Sequence, residues 1–367
     1  MTLRVPAVTL AALAVAGCVR PDTEASGFPA PSVRVVRVPS GGAVPDAVVD
    51  SGGVIHAVWA RANDVWYATS SNGGDSWGFP LRVNAEPGMA DEPGMFRGPS
   101  ISIGRSGRVH VVWYPLRRDR PAAEWGIRYA HLDPPTTAFS LPLVLSREPG
   151  DGFSVAASPE GAVLVSWIDE QGLRIARSAD GGETFGAPES VPGADPVRTC
   201  VSRGRFLPGG EFLLLYRDRG TPARRESVVA WARGLGVYER RTLSSKPWPE
   251  DACPTTGGWL SVAGDGAVAS WETGEEISWA AFDARGRISP AGEVRTMAAG
   301  GRWPVVLANA RGDVCVSWKE SATLMWQVFA SDGRPSGPPR SASSTSPHGH
   351  AGCVLPDGTF LLLDAGP

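Results

Sequence analysis

The chain of 367 residues lacks a marked excess of charge of either sign, because 35 Lys and Arg stand against 38 Asp and Glu for a formal net charge of -3. No stretch is rich in basic residues, and this excludes the electrostatic footprint of a nucleic-acid-binding surface. Long hydrophobic runs are also missing, except for one segment at the N-terminus. The sequence therefore excludes a membrane protein with several spanning helices.

Glycine and proline are abundant, with 45 and 33 residues, and the chain also holds 14 tryptophans. A disordered low-complexity chain would lack aromatic residues at this level, because it has no core in which to bury them. A folded protein with many turns fits both features. We therefore expect a turn-rich all-β protein, long enough for two average domains or one large repetitive domain.

Residues 1–17 resemble the signal peptide of a bacterial lipoprotein. Arg4 supplies the positive charge, Val5 to Ala16 form a short apolar run, and Val15 to Cys18 form a small-residue cleavage site that ends in cysteine. The run is shorter than the roughly 20 apolar residues that span a bilayer. The resemblance implies export, cleavage before Cys18 and lipidation of that cysteine, which would make the membrane a partner through the lipid anchor.

Residues 18–31 are then expected to form a flexible tether, and residues 32–367 the folded domain. Val19 after the cysteine is similar to the pattern of outer-membrane sorting in a Gram-negative host. An ordinary secretory signal, in which Cys18 is incidental, is the alternative. Both interpretations place the domain outside the cytoplasm, in the second case without an anchor.

A unit of about 50 residues recurs along the domain. Its clearest part is an alternating apolar strand that ends in an aromatic residue and follows a turn rich in Gly with Asp or Ser. This strand recurs at Val54–Trp59, Val109–Trp113, Val163–Trp167, Phe212–Tyr216, Ala267–Trp271, Val314–Trp318 and Phe360–Leu363. Such a period composed of strands alone is typical of a β-propeller with four-stranded blades.

The seventh copy stops after its second strand, so its blade needs strands from elsewhere in the chain. Residues Val33–Val38 form an extra strand before the first copy. Pairing of this strand with the last blade would close the ring and cover a free sheet edge. We therefore predict seven blades, with six as the alternative if the C-terminal strands complete a blade that the N-terminus begins.

Two repeats carry the same tight-turn motif between their third and fourth strands. Residues 178–185 read Ser-Ala-Asp-Gly-Gly-Glu-Thr-Phe, and residues 70–77 read Ser-Ser-Asn-Gly-Gly-Asp-Ser-Trp. Both resemble the Asp-box, S-x-D-x-G-x-x-(W/F), of sialidase-like propellers, also known as BNR repeats. The matching positions are Ser70, Asn72, Gly74, Trp77, Ser178, Asp180, Gly182 and Phe185. The Asx side chain of this motif caps its own turn, so the motif indicates a fold and not a reaction.

The resemblance implies what a working sialidase would need: three arginines for the substrate carboxylate, a Tyr–Glu nucleophile pair, an Asp acid/base and an early Arg-Ile-Pro-like motif. Phe96–Pro99 is the candidate for that motif, with Gly98 in the apolar place. None of the five tyrosines lies late in a first strand, where the family nucleophile is found. We therefore expect a non-catalytic propeller that binds a glycan or an envelope protein at its channel mouth. A sialidase-like glycoside hydrolase and a purely structural envelope component are the alternatives.

The candidate contact residues open the innermost strands, 16 residues before the aromatic residue of a repeat. Side chains there should rim one mouth of the channel, where ligands usually bind. Arg97, Asp151 and Arg302 occupy this position, His348 does so in the seventh repeat, and Arg198, Asp251, Asp46 and His350 are neighbours. Salt bridging between blades is the alternative role for these charged groups.

Four cysteines remain apart from Cys18, and they allow three complete pairings. Cys200 and Cys253 begin equivalent inner strands of neighbouring blades, an arrangement similar to that of other exported sialidase-like proteins. In an exported protein we favour a disulfide between them. Cys315 and Cys353 lie in apolar strands, where we expect buried thiols.

Residues 348–353 read His-Gly-His-Ala-Gly-Cys, a spacing that raises the alternative of a zinc site. A strand turns alternate residues to one face, however, so Cys353 would point away from the two histidines. We therefore expect no metal and no other cofactor, and a monomeric chain.

Overall fold

The computed structural model describes residues 31–90, 98–115, 125–197, 200–219, 226–232, 238–243, 257–274, 276–284, 287–288, 294–344 and 349–365. These residues form 27 strands and two single-turn 3-10 helices, Pro39–Gly41 and Arg105–Gly107. Contacts along the chain separate residues 1–30 from residues 31–367, and all described residues belong to the second unit. Within the described ranges, no helix has the length and apolar character that crossing a membrane requires.

Six blades are four-stranded antiparallel sheets whose strands follow the order of the chain, from the channel outwards. The first three comprise β2 (Ala43–Val49), β3 (Ile55–Arg61), β4 (Asp64–Ser70) and β5 (Leu81–Arg82); β6 (Ser100–Ile103), β7 (Val109–Trp113), β8 (Arg128–Leu132) and β9 (Leu143–Val144); and β10 (Asp151–Ala157), β11 (Val163–Asp169), β12 (Gly172–Ser178) and β13 (Glu189–Ser190). The next three comprise β14 (Arg203–Phe206), β15 (Phe212–Asp218), β16 (Glu226–Ala232) and β17 (Tyr238–Thr242); β18 (Gly258–Ala263), β19 (Gly266–Thr273), β20 (Glu276–Phe282) and β21 (Arg295–Ala299); and β22 (Arg302–Ala308), β23 (Val314–Glu320), β24 (Thr323–Phe329) and β25 (Arg340–Ser343).

The seventh blade joins the two ends of the domain. The innermost strand β26 (Ala351–Val354) pairs with β27 (Phe360–Asp364), and β1 (Val33–Arg37) pairs with β27 in parallel. The prediction of seven blades closed by the N-terminal strand is confirmed, and the six-bladed alternative is wrong. This blade has three paired strands in the described part of the chain. Because β1 covers it, β27 is a central strand with no free edge.

The seven innermost strands enclose the channel. Each of β2, β6, β10, β14, β18, β22 and β26 contacts the next, and β26 contacts β2. The repeated apolar strands predicted from the sequence are the second strands of the blades, and each carries its aromatic residue into the core. Trp59, Trp113, Trp167, Tyr216, Trp271 and Trp318 are all buried. These residues fill the space between neighbouring sheets, where apolar burial supplies most of the stabilisation.

A glycine just before an innermost strand makes room for the aromatic residue in two blades. A Cβ atom on Gly42 would lie 1.9 Å from the Trp59 ring, and one on Gly301 would lie 2.8 Å from the Trp318 ring. Real Cβ contacts are longer than this, so the indole rings pack directly on backbone. The glycines thus allow each tryptophan to lie under the start of the innermost strand.

The Asp-box turns lie between the third and fourth strands of the first and third blades. In the third blade, the Ser178 hydroxyl accepts from the Gly182 N–H at 2.8 Å and donates to Asp180 at 2.7 Å. Asp180 also accepts from the Thr184 hydroxyl at 2.5 Å and from the Thr184 N–H at 3.0 Å. The hydrogen bonds from Thr184, with that from Ser178, lower the pKa of its carboxyl. Phe185 packs edge-on against Tyr129 of the second blade, with ring centroids 4.8 Å apart. The turn therefore caps itself and contacts the preceding blade.

The Asp-box of the first blade repeats this pattern with an asparagine. The Gly74 N–H donates to the Ser70 hydroxyl at 2.9 Å, and the Ser76 N–H donates to Asn72 at 3.0 Å. The half-buried Trp77 packs against the core that joins this blade to the seventh. Asn72 thus takes the place of the acidic residue in capping the turn.

Two histidines at equivalent places on the second strands bind tyrosines on the third strands. His56 Nδ1 lies 2.7 Å from the Tyr67 hydroxyl, and His110 Nδ1 lies 2.6 Å from the Tyr129 hydroxyl. Burial lowers the pKa of His110 to about 3, with nearby Arg108 and His131 acting in the same direction. Both histidines are therefore structural hydrogen-bonding residues of the sheet.

Buried charges link the last four blades. In each of these blades a charged residue follows the last apolar residue of the second strand, and its exposed fraction is only 1–4%. These residues are Arg217, Glu272, Lys319 and Asp364. Lys319 forms an ion pair with Asp364 of the next blade, and Arg217 donates to the Glu272 carbonyl of the next blade. These contacts join the fourth blade to the fifth and the sixth blade to the seventh.

Candidate functional site at the channel mouth

A cavity of about 80 Å³, open to solvent, lies where the innermost strands begin. All seven blades contribute to its lining, because these strands all start at the same end of the channel. The residues that line it include Val44, Asp46, Gly98, Phe153, Val201, Arg203, Gly257, Trp259, Trp303 and His350. The mouth therefore combines aromatic, charged and exposed backbone groups in one concave surface.

Three innermost strands enter the channel through a β-bulge at the same position of the repeat. The pairing register shifts between Ala43 and Asp46 in β2, between Asp151 and Ser154 in β10, and between Arg302 and Val305 in β22. The residue after the first strand residue has positive φ in all three: Val44 (46°), Gly152 (59°) and Trp303 (60°). A bulge redirects side chains and occurs often beside binding sites.

The bulge positions of the first and sixth blades carry a branched and an aromatic residue in the left-handed region. Such residues cost about 1–3 kcal/mol there and persist where the surroundings hold them. Val44 packs over Gly98, where an added Cβ would lie 2.4 Å from the Val44 side chain, and Trp303 packs over Gly349. Backbone strain therefore places both side chains at the mouth of the channel.

An ion pair crosses the channel just inside the mouth. Arg203 Nη2 of the fourth blade donates to Asp46 Oδ1 of the first blade, and both residues are more than 90% buried. Asp46 Oδ2 also accepts from the Ile101 N–H at 3.2 Å, which ties it to the second blade. Burial lowers the pKa of Arg203, and the Asp46 charge opposes that shift. The charged groups thus connect opposite walls of the ring.

The Arg203 guanidinium also stacks on an aromatic ring. Its Cζ atom lies 3.4 Å from the centroid of Trp259, a cation–π contact with the fifth blade. Among the residues that the structure describes, the buried Nε of Arg203 has no hydrogen-bond partner. Arg205, two residues along the same strand, adds a second positive charge, and burial lowers its pKa to about 10. The wall of the fourth blade is therefore electropositive and holds one unused donor.

His350 of the seventh blade supplies a second unpartnered group. Its Nε2 lies 2.7 Å from the Ser317 hydroxyl of the sixth blade, and its buried Nδ1 has no hydrogen-bond partner in the described part of the chain. Burial, with Lys319 nearby, holds the pKa of His350 well below its usual range. The ring is therefore neutral at physiological pH and lines the cavity.

The structure places two of the six sequence-predicted contact residues. Asp151 and Arg302 begin β10 and β22 as expected, half-buried and exposed respectively, but the cavity lining includes their neighbours Phe153 and Trp303 instead. Arg97, Arg198, Asp251 and His348 lie outside the described residues. Residues close to three of them do line the cavity: Gly98 directly follows Arg97, Gly349 directly follows His348, and Val201 lies three residues after Arg198.

Sequence reasoning missed Arg203, Trp259 and Trp303 as lining residues. A usable signal existed for the first, since Arg203 stands 13 residues before Tyr216, as Asp46 stands 13 before Trp59. The tryptophans had no such signal, because their orientation depends on the bulge and on the ring. Asp46 and His350, expected as neighbours of the rim, both line the cavity.

The cysteines fall into two kinds. Cys315 and Cys353 are free and buried, and burial raises the pKa of the Cys353 thiol to about 12. Cys200 is buried beside the mouth. Its predicted partner Cys253 and the lipidation candidate Cys18 lie outside the described residues, so the pairing stays a prediction.

One cluster of metal-binding residue types lies away from the mouth, among the residues that the structure describes. His131, Asp133 and Glu183 have ligand atoms within 4.8 Å of one another. Arg108 lies among them, with its Nη1 2.7 Å from Glu183 and its Nη2 3.1 Å from Asp133. The guanidinium already neutralises both carboxylates, so the cluster is a salt-bridge network between the second and third blades.

No family model and no curated protein matches this sequence. Solved structures share its fold. A protein of unknown function from Dyadobacter fermentans DSM 18053 is 13% identical, with a TM-score of 0.51 over 85% of this chain and 96% of that one. The NanB sialidase of Streptococcus pneumoniae is 9% identical, with a TM-score of 0.52 over 79% and 68%. A PL25 ulvan lyase is 11% identical, with a TM-score of 0.50 over 88% and 86%. The likeness is one of β-propeller fold, because identities this low carry no function.

Proposed function

We propose that this protein is an exported, lipid-anchored β-propeller of the cell envelope that binds a carbohydrate at its channel mouth without turning it over. Cys18 would carry the lipid, and a Cys200–Cys253 disulfide would join the fourth and fifth blades beside the mouth. In a Gram-negative host, the outer membrane is the expected location. Two propellers of similar fold support the choice of ligand class, one a sialidase and one a lyase bound to -[GlcA(1-4)Rha3S]-.

The observation that carries the proposal is the chemistry of the mouth. Phe153, Trp259 and Trp303 supply apolar rings, and Arg203 Nε and His350 Nδ1 are buried polar atoms that find no partner within the described ranges. Buried polar groups normally find hydrogen-bond partners, so these two favour a ligand with hydroxyl or other oxygen groups. A sugar offers both C–H faces for aromatic rings and oxygens for these nitrogens. A protein loop could fill the same space, but it would present fewer oxygens per unit of area.

Binding without turnover fits the positions of the tyrosines and of the cavity carboxylate. All five tyrosines lie on second, third or fourth strands or directly after one, with Tyr238 on a fourth strand. Glycoside hydrolysis in the usual scheme needs two carboxylates flanking the scissile bond. Asp46 is the carboxylate that lines the described part of the cavity, and Arg203 already pairs with it. A glycosidase remains the competing outcome of the test below.

The proposal is tested by screening the purified chain against an array of bacterial and host glycans, with affinities then measured by calorimetry. Trp303→Ala should weaken binding by about tenfold or more, as truncation of a central aromatic contact usually does. Trp66→Ala, which removes a half-buried tryptophan on a third strand, is the matched control and should leave affinity unchanged. A thermal melt of each variant checks that the fold is intact. Equal affinities for the two variants would contradict binding at the mouth.

Catalysis is tested on the same preparation with a fluorogenic sialoside and a panel of other glycosides. We expect no turnover above the solvent rate. Turnover that Asp46→Asn abolishes, at a temperature where the thermal melt shows this variant to be folded, would replace the binding proposal with the glycosidase alternative. The lipid anchor is tested separately by cell fractionation. We expect the parent chain in the membrane fraction and the Cys18→Ala variant in the soluble fraction.

A further inference from the structure

The chain enters the propeller at the face opposite to the channel mouth. Strand β26 follows His350 at the mouth and runs to Val354, which pairs with Phe360 at the start of β27. In the parallel pair, Val33 lies opposite Phe360, and the Phe360 N–H donates to the Ser32 carbonyl at 2.9 Å. The first residues of β1 therefore lie about one strand length from the mouth.

The tether between the proposed lipid and this face is short. Twelve residues separate Cys18 from Pro31 in the sequence. A flexible segment of this length has a root-mean-square extension of about 20 Å. That reach is about the radius of a domain of this size. A lipid on Cys18 would therefore favour orientations in which the entry face is turned to the bilayer.

Two large apolar side chains lie exposed at the same end of neighbouring blades. Phe79 is 89% exposed and Leu141 is 81% exposed. They occupy equivalent positions, two residues before Leu81 and Leu143, which pair with Tyr67 and Tyr129 on the third strands. Third strands run away from the mouth, so the residues just before the fourth strands lie at the entry face.

The apolar pair also lies on the side of the ring where the chain enters. Arg34 of β1 forms an ion pair with Asp75 in the Asp-box turn of the first blade. A Cβ on Gly74 of that turn would lie 2.8 Å from Val36. The first blade, which carries Phe79, is thus in direct contact with the entering strand, and the second blade, which carries Leu141, is next to it.

We propose that the entry face rests on the lipid bilayer through Phe79 and Leu141, and that the cavity at the mouth points away from the membrane. This inference rests on the lipid anchor of the proposed function. Phenylalanine and leucine at a surface insert into the interfacial region of a bilayer, and a second membrane contact strengthens an anchor held by lipid. The bilayer is the partner that the chain entry brings within reach of these side chains. The propeller would then present its cavity to the outside of that membrane.

The test places a bimane fluorophore on the full lipidated chain in phosphatidylglycerol and phosphatidylethanolamine vesicles that contain nitroxide-headgroup lipid. Labels at Phe79→Cys and Leu141→Cys are compared with a label at Arg302→Cys, an exposed position at the mouth. The free thiols Cys315 and Cys353 are buried, and the parent chain serves as the labelling blank. We expect the nitroxide to quench the labels at positions 79 and 141 several-fold more than the label at position 302.

Equal quenching at the three positions, or stronger quenching at position 302, would overturn the proposed orientation. Shielding of the label at position 79 that depends on protein concentration and not on nitroxide would assign the patch to a second copy of the chain, and would also overturn it. Loss of the parent chain from the vesicles would instead refute the lipid anchor, and the orientation with it. Glycan affinity is measured separately, so failure of the binding proposal is distinguishable from either result.

Discussion

Asp46 and Arg203 are 157 residues apart in the chain and form an ion pair across the channel. The pair joins the first blade to the fourth, which stands on the opposite wall of a seven-bladed ring. Each partner has further buried contacts, Asp46 with the Ile101 N–H and Arg203 with the Trp259 ring. The channel mouth is therefore stabilised by a contact between two blades that are not neighbours in the ring.

Removal of one member of this pair should destabilise the protein strongly. Asp46→Asn or Arg203→Met leaves an unpaired buried charge, which usually costs about 3–5 kcal/mol of unfolding free energy. The double variant Asp46→Asn with Arg203→Met should recover a large part of the loss, because neither member of the pair is then left as an unpaired charge. Urea unfolding followed by tryptophan fluorescence measures all three.

Arg302→Ala is the matched control for the ion pair, because Arg302 is exposed at the same mouth. Its unfolding free energy should stay within about 0.5 kcal/mol of the parent value. A double variant that is no more stable than the single variants would show that the pair contributes through something other than charge compensation.

Gly152→Ala should be far more damaging than its backbone angle alone suggests. Gly152 has a φ of 59°, and an added Cβ would lie 1.9 Å from the Cys200 carbonyl oxygen. Gly193 has a φ of 70° with open space around it, so Gly193→Ala isolates the cost of the angle, about 1 kcal/mol. We expect thermal unfolding to show a drop in Tm at least twice as large for Gly152→Ala. A similar drop in Tm for the two variants would mean that the backbone at Gly152 can move away from Cys200 at little cost in free energy.

The stability of the domain should fall as the pH is lowered from about 6.5 towards 3. The unfolded chain protonates His110 near pH 6.5, whereas the folded chain does so only at about 3. In this window the unfolded state binds more protons, so the unfolding free energy falls by up to about 1.4 kcal/mol per pH unit from this residue. Arg108 and His131 contribute to the low pKa, and Asp133 opposes it.

His110→Gln should flatten the acid limb of a plot of unfolding free energy against pH. His56→Gln is the matched control, since His56 holds the equivalent place but has Asp50 3.3 Å away to favour its charged form. His56→Gln should therefore change the slope of the acid limb less than His110→Gln does. Parallel acid limbs for the parent chain and His110→Gln would assign the loss of stability to other groups.

Closure of the ring by β1 should be essential to the fold. A chain that begins at Gly42 lacks β1 and leaves β27 with an unpaired edge of buried residues, including Phe360 and Leu362. An exposed apolar edge promotes association between chains. We expect this chain to aggregate and to lose its near-ultraviolet circular dichroism, whereas a chain that begins at Pro31 keeps both its monomeric elution and its spectrum. A monomeric, fully folded short chain would show that the six other blades suffice.

The mouth was only partly predictable from the sequence. Counting positions along the repeat located Asp46 and His350 near it, because equivalent residues of a repeat take equivalent places in the ring. The same counting placed Asp151 and Arg302 at the strand starts, but the bulges turn Phe153 and Trp303 into the cavity lining in their stead. A bulge adds one residue to the pairing and reverses the alternation of side chains beyond it, so a period of two fails at that point.

By itself, the sequence determined the all-β class, the seven repeats, the Asp-box turns and the strand left over for closing the ring. These follow from alternation of apolar residues and from turn chemistry, which act over a few residues and recur at each repeat. The tertiary structure alone decided that Asp46 meets Arg203, that Arg203 stacks on Trp259, and that the entry face and the mouth lie at opposite ends. Such contacts depend on the curvature and closure of the ring, which brings together residues from blades that no local pattern relates.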